Sequence, residues 1–207
     1  IASYVVSLLR PEVVDELELK KYGYEPMIMN NSFYPDLNGD YLLLTDDEGH
    51  NQKQYEKFST TDYAAVKQFY ELVDKVGDII ADQWLKEPPK LYGGGIGDVL
   101  QGLKMGMDVY KLDDDTRHRL VQFFIGAPDT IIERWFESDK VKAKMASSCL
   151  PANYTSLHQP GSSLAMLHHA VGGIDRVKGA WGVVKGGMGA ITQAMAASAE
   201  AKGVVIR

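Results

Sequence analysis

Three histidines, His158, His168 and His169, lie close together, with Asp175 a few residues on. As metal ligands they are badly spaced. Adjacent helical side chains point about 100° apart, and neither His-x-x-x-His nor His-Glu-x-x-His occurs. No metal site is expected. Cys149 would need a base beside it to act as a nucleophile. Its neighbours are Ser147, Ser148 and Leu150, so a small buried side chain is expected. Asp113-Asp114-Asp115 lacks the alternating oxygen ligands of a calcium loop and suits a helix N-terminus, where the dipole favours negative charge. None of these groups forms an acid–base pair, so catalytic residues remain unassigned.

Gly186-Gly187-Met188-Gly189 is the more telling cluster. Trp181 to Lys185 before it is bulky and β-branched, as a strand is. The Ala-rich segment after it favours a helix, with Ile191, Ala194, Met195 and Ser198 recurring on one face. Gly203 sits where a C-cap glycine sits, and Val204-Val205-Ile206 begins a further strand. Two readings of the glycines stand. They form a tight strand-to-helix turn, or they also let backbone N–H groups reach a ligand at the helix N-terminus. The other cluster, Gly93-Gly94-Gly95-Ile96-Gly97-Asp98, fails as a dinucleotide fingerprint. Asp98 takes the third glycine position counted from Gly93, and Leu100 takes it counted from Gly95. Pro88-Pro89 rather than a strand precedes it, so a helix-entry loop is expected.

The elements that must position these residues follow from periodicity. Pro11–Lys21 reads as a helix, stopped by Gly23. Pro26–Phe33 and Asp40–Thr45 flank Asn38-Gly39 as a hairpin, and Asp46–His50 reads as a polar turn. Ser59 to Asp62 is an N-cap cluster. Behind it Tyr63, Val66, Phe69 or Tyr70, Val73, Val76, Ile80 and Trp84 make one apolar helical stripe. Further helices are expected at Ile96–Met107, from Asp113 through Phe124, from Pro128 to Phe136, from Ser138 to Ser148 and over Ser162–Val171. The class is α+β, a small antiparallel or mixed sheet covered by helices. The 207 residues carry a net charge of −6, with 45% hydrophobic and 24% charged residues. That is a globular composition, with no basic stretch for nucleic acid. No apolar run is long enough for a transmembrane helix, and no targeting segment is visible. A single cysteine suits a reducing compartment.

The segment Gly179-Ala-Trp-Gly-x-Val-x-Gly-Gly-Met-Gly-Ala190 resembles the phytoene-dehydrogenase-related FAD-dependent oxidoreductases. So do Ser3–Pro11, Leu17–Gly23, Asp129–Ala143 with its Arg134-Trp135-Phe136-Glu137-Ser138, and Pro160–His169 with Gly172-Gly173. The resemblance implies an internal piece of such a flavoprotein. Residues 1–180 would be the substrate-binding region, and residues 181–207 a strand-turn-helix-strand returning toward a missing FAD-binding Rossmann unit. It places Gly186, Gly187, Met188 and Gly189 against the flavin, with Ser3 and Tyr4 where the chain passes it. Trp181, Lys185, His168 and His169 become candidates for the substrate cavity. It further implies FAD in the full-length protein but none in this piece, and an apolar small-molecule substrate. The compartment would be the cytoplasm of a bacterium or the mitochondrial matrix of a eukaryote. A non-catalytic binding or regulatory protein retaining the same architecture is the alternative. The sequence also looks cut at both ends, and Ile1–Tyr4 and Val204–Arg207 are expected to pair in a homodimer through exposed edges.

Overall fold

A computed structural model describes residues 3–90, 92–150 and 154–207. In chain order the elements are α1 (Pro11–Glu16), a 3-10 turn (Leu19–Tyr22), β1 (Pro26–Ile28), β2 (Ser32–Pro35), β3 (Tyr41–Leu44), α2 (Glu48–Glu56) and α3 (Thr60–Trp84). Then come α4 (Ile96–Tyr110), α5 (Asp114–Ile125), α6 (Pro128–Ile132), α7 (Asp139–Ala146), α8 (Leu164–Val171), β4 (Gly173–Ile174), β5 (Val177–Lys178), β6 (Gly182–Val184) and α9 (Gly189–Ala201). The class is α+β. The described strands form three separate antiparallel pairs, β1–β6, β2–β3 and β4–β5, instead of one sheet. The chain divides into two units, Ile1–Phe58 with His168–Arg207, and Ser59–Leu167. Residues 181–207 therefore share a unit with the N-terminal segment.

In the first unit the expected helix at Pro11–Lys21 is broken. Glu18 adopts a left-handed conformation (φ 51°) and the chain re-forms as the 3-10 turn. The break delivers Leu19, fully buried, into a core with Val6, Val14, Tyr24, Ile174, Val184 and Ala194. The segment expected as one strand, Pro26–Phe33, is also split. Its first half, β1, pairs with β6, Met27 lying opposite Val183, while β2 makes the expected hairpin with β3, Pro35 opposite Tyr41. The polar turn at Asp46–His50 is instead the start of α2, where the Asp47 carboxylate accepts from the His50 amide. Sequence periodicity missed this helix because Tyr55 is its one buried residue. Beyond α8 lies a second unforeseen hairpin, β4–β5, with Asp175 and Arg176 both at positive φ. The expected strand at Val204–Ile206 does not form. Those residues are exposed, past a C-terminal stop in which the Val204 amide bonds Ala199 O. Among the described residues no strand pairs with them. Of the proposed N-terminal edge, residues 1 and 2 lie outside the described residues.

The second unit is helical. The stripe on α3 buries Val66, Phe69, Val73, Val76 and Ile80. Phe69, not Tyr70, is the aromatic member, and it meets Trp135 and Phe136 edge-on at 5.4 and 5.3 Å. Trp84, at the end of the stripe, is exposed. The three aspartates cap α5 as expected, Asp113 accepting from the Thr116 amide. These hydrogen bonds, with Lys75 at 3.0 Å, hold its carboxyl well below the usual range. Cys149 is buried, and burial pushes its thiol up to about 11. The thiolate is the reactive form, so native protein at pH 7.5 should resist alkylation by iodoacetamide that reacts readily once guanidinium unfolds the chain. Rapid native labelling, followed by mass spectrometry, would contradict this placement.

Candidate functional site

Strand β6 organises the candidate residues. Side chains alternate across a strand, so Gly182 and Val184 turn inward while Trp181, Val183 and Lys185 share the opposite, more open side; the first two are buried and Lys185 is exposed. The N-terminal segment runs along the other edge of this strand. Val6 and Gly182 exchange both backbone hydrogen bonds, at 2.8 and 2.9 Å. Gly182 is thus enclosed by Val6 on one edge and β1 on the other. A Cβ there would lie 2.4 Å from the Met27 carbonyl oxygen and 2.6 Å from Ile174 Cδ1.

At the start of β6, rings gather. Trp181 and His169 lie 4.9 Å apart, centroid to centroid, and His168 meets His169 at 5.4 Å. His169 is half-buried, and its Nδ1 is shut away from solvent without a hydrogen-bond partner among the described residues. A buried ring nitrogen left in that state costs free energy unless something satisfies it. His168 is held below the ordinary histidine value, first by loss of water around the ring and then by the charge of His169.

At the far end of β6, roughly 15 Å on by strand rise, lies the glycine turn. Gly186 and Gly187 have φ of 82° and 83°, a region costly for residues with a Cβ. The Gly187 amide bonds Val184 O at 2.8 Å and its carbonyl accepts from Ala190 at 3.0 Å. Met188 packs on the core of the first unit. The space around Gly187 and Gly189 is open, with no atom within 4 Å of where a Cβ would stand. Lys185 is taken up by an exposed ion pair with Glu25 at 3.0 Å. Ser3 and Tyr4 are exposed on the approach to Val6, and the Ser3 hydroxyl donates to Val5 O.

The fold thus brings His168, His169 and Trp181 together. The four turn residues form a second cluster, and Lys185 belongs to neither. Asp175 lies away from the histidines in an ion pair with Lys20 at 2.8 Å, and His158 bonds the Asp129 carboxylate in the second unit. Among the described residues, no three His, Cys, Asp or Glu side chains are placed to hold a metal, and no helix is long and apolar enough to cross a membrane. A further contact also escaped sequence reasoning. The Lys144 ammonium hydrogen-bonds the Tyr70 hydroxyl, and burial lowers it to about 8. No spacing rule links residues on α3 and α7 in this way.

The arrangement places rings at one end of strand β6 and glycines at the other. Over 99% of its length the chain is similar to pyridine nucleotide-disulfide oxidoreductase domain-containing protein 2 of Rattus norvegicus, at 35% identity, and to the protein of the same name of Mus musculus, at 32%. It spans 38% of the length of each of these curated relatives. No family model matches the chain.

Proposed function

We propose that this chain is the substrate-binding region of a phytoene-dehydrogenase-like, FAD-dependent oxidoreductase acting on an apolar substrate. The observation that carries this reading is the similarity along 99% of the chain to relatives named for an oxidoreductase domain. One feature of the structure fits a flavin: the Gly187–Gly189 turn is open enough for a backbone approach. The backbone of Gly186, Gly187, Met188 and Gly189 at the N-terminus of α9 would face the cofactor while the Met188 side chain lies against the core, with Ser3 and Tyr4 on the adjoining edge. Trp181, His168 and His169 would wall the substrate cavity. The bound flavin would supply the redox chemistry, while the protein orients the substrate and keeps water out.

The experiment is FAD binding and turnover by the natural full-length protein. It should be isolated with stoichiometric FAD, whereas residues 1–207 alone should be colourless. Gly187→Val should lower FAD affinity or turnover more than its loss of stability explains, that loss being on the order of 1–3 kcal/mol. Ala65→Val on α3 serves as the control. A full-length protein free of flavin would favour the non-catalytic binding protein. A Gly187→Val protein that binds FAD normally, with only a lower melting temperature, would make the turn structural.

A further inference from the structure

A small pocket lies within the first unit, where α1, the 3-10 turn and the β4–β5 turn meet. It holds about 120 Å³, the space of roughly four waters at ~30 Å³ each. Leu9, Pro11 and Val14 give it an apolar wall, and Tyr24 lines it too. Tyr24 is only 4% exposed. Its hydroxyl makes no hydrogen bond among the described residues. Burial, and then the charge of Asp175, hold it above the usual tyrosine value. A buried hydroxyl without a partner costs free energy, and this one borders a pocket that has room for a partner.

Four charged groups complete the lining. Lys20 pairs with Asp175 at 2.8 Å, and Arg176 with Asp15 at 2.7 Å. All four are exposed, and surface pairs of this kind open to a competing ligand at little cost. Asp175 and Arg176 sit side by side at φ of 48° and 68°, a strain that persists at ligand clamps. Glu12 also feels Arg176 but is taken up by Arg10 at 3.0 Å. The two cations and two anions of the lining cancel. An ion of either sign would therefore bring an unbalanced charge against the apolar wall, which is costly, whereas a molecule carrying both signs would not. We infer that this pocket binds a small zwitterion of the α-amino acid class. Its carboxylate lies toward Lys20 and Arg176, its ammonium toward Asp15 and Asp175, and its side chain against Leu9, Pro11 and Val14. The Tyr24 hydroxyl gains its hydrogen bond from the same molecule. Four water volumes take about six non-hydrogen atoms, the size of L-alanine. Nothing in this pocket depends on a flavin.

The test is saturation-transfer NMR on the natural full-length protein, read at the methyl signal of L-alanine. Acetate, ethylamine and glycerol serve as probes that each carry one feature of the zwitterion. L-Alanine should bind saturably in the millimolar range, as suits so small a ligand, and the three probes far more weakly. Tyr24→Phe keeps the ring in the core. It should weaken L-alanine by about tenfold, as the loss of one hydrogen bond does, without lowering the melting temperature. Asp175→Asn combined with Arg176→Gly removes one charge of each sign but suits the turn better. That double variant should fold at least as well as the unmodified protein and lose the binding. No saturable transfer to L-alanine overturns the inference, as does binding that survives both Tyr24→Phe and the double variant. Acetate or ethylamine binding as well as L-alanine makes this a site for a simple ion and overturns the zwitterion. Glycerol binding as well as L-alanine overturns any role for the four charges.

Discussion

Replacing Gly182 with alanine is expected to cost about 3 kcal/mol or more, a size reached only by a few kinds of single substitution. The new methyl group would stand 2.4 Å from the Met27 carbonyl oxygen and 2.6 Å from Ile174 Cδ1. The Ile174 side chain can turn aside, but a backbone carbonyl fixed in a strand pair cannot. Accommodation means parting β6 from β1, which hold Met27 opposite Val183 and Ile28 opposite Gly182, or from Val6 on the other edge. Either movement uncovers Val6 and Val184 in the core. Gly187→Ala is the informative contrast. No atom obstructs it, so only its φ of 83° is strained, at about 1–2 kcal/mol. Denaturant titration of both variants decides the matter, and a Gly182→Ala protein as stable as Gly187→Ala would show that β6 is not enclosed as described.

The second large effect is expected at Asp62. Only 1% of this residue is exposed, yet its carboxylate oxygens accept hydrogen bonds from the amides of Glu137 and Ser138, each at 2.9 Å. They tie the first turn of α3 to the start of α7. Asp62→Ala leaves both amides of this part-buried junction without that acceptor. Hydrogen bonds to a charged group contribute about 1.5–3 kcal/mol each, so a loss of about 3–4 kcal/mol is expected, a fall in melting temperature on the order of 10 °C. Asp62→Asn keeps one acceptor oxygen and should fall between. Ser59→Ala, which removes the cap on the Asp62 amide, should cost nearer 1 kcal/mol. Should Asp62→Ala melt within two degrees of the unmodified protein, the junction is not what holds these helices.

Asp62 also shows where sequence reading stops. Its place in an N-cap cluster was legible, because caps act within one turn. Its true partners are some 75 residues away, and no local pattern encodes them. The same boundary runs through the whole chain. The α3 stripe, the caps of α3 and α5, the β2–β3 hairpin at Asn38-Gly39 and the strand-turn-helix from Trp181 all rest on neighbours in sequence, and all are present. The break at Glu18, the pairing of β1 with β6 and the Asp175-Arg176 turn depend on distant segments, and none was foreseen. In the candidate site, the glycine turn was visible as a turn. The approach of the His169 ring to Trp181 was not, since it joins α8 to β6 across the β4–β5 hairpin.

That hairpin has a consequence for how this protein tolerates change. Its two-residue turn needs φ above zero at both central positions, a need Asn-Gly meets with least strain, yet Asp175 and Arg176 occupy it. Each is held by a surface ion pair, to Lys20 and to Asp15. Such pairs are screened by salt, whereas backbone strain is not. The hairpin is therefore a place where the fold retains unused stability. Selection for heat resistance would find gains here without touching the core, and high salt would make those gains larger.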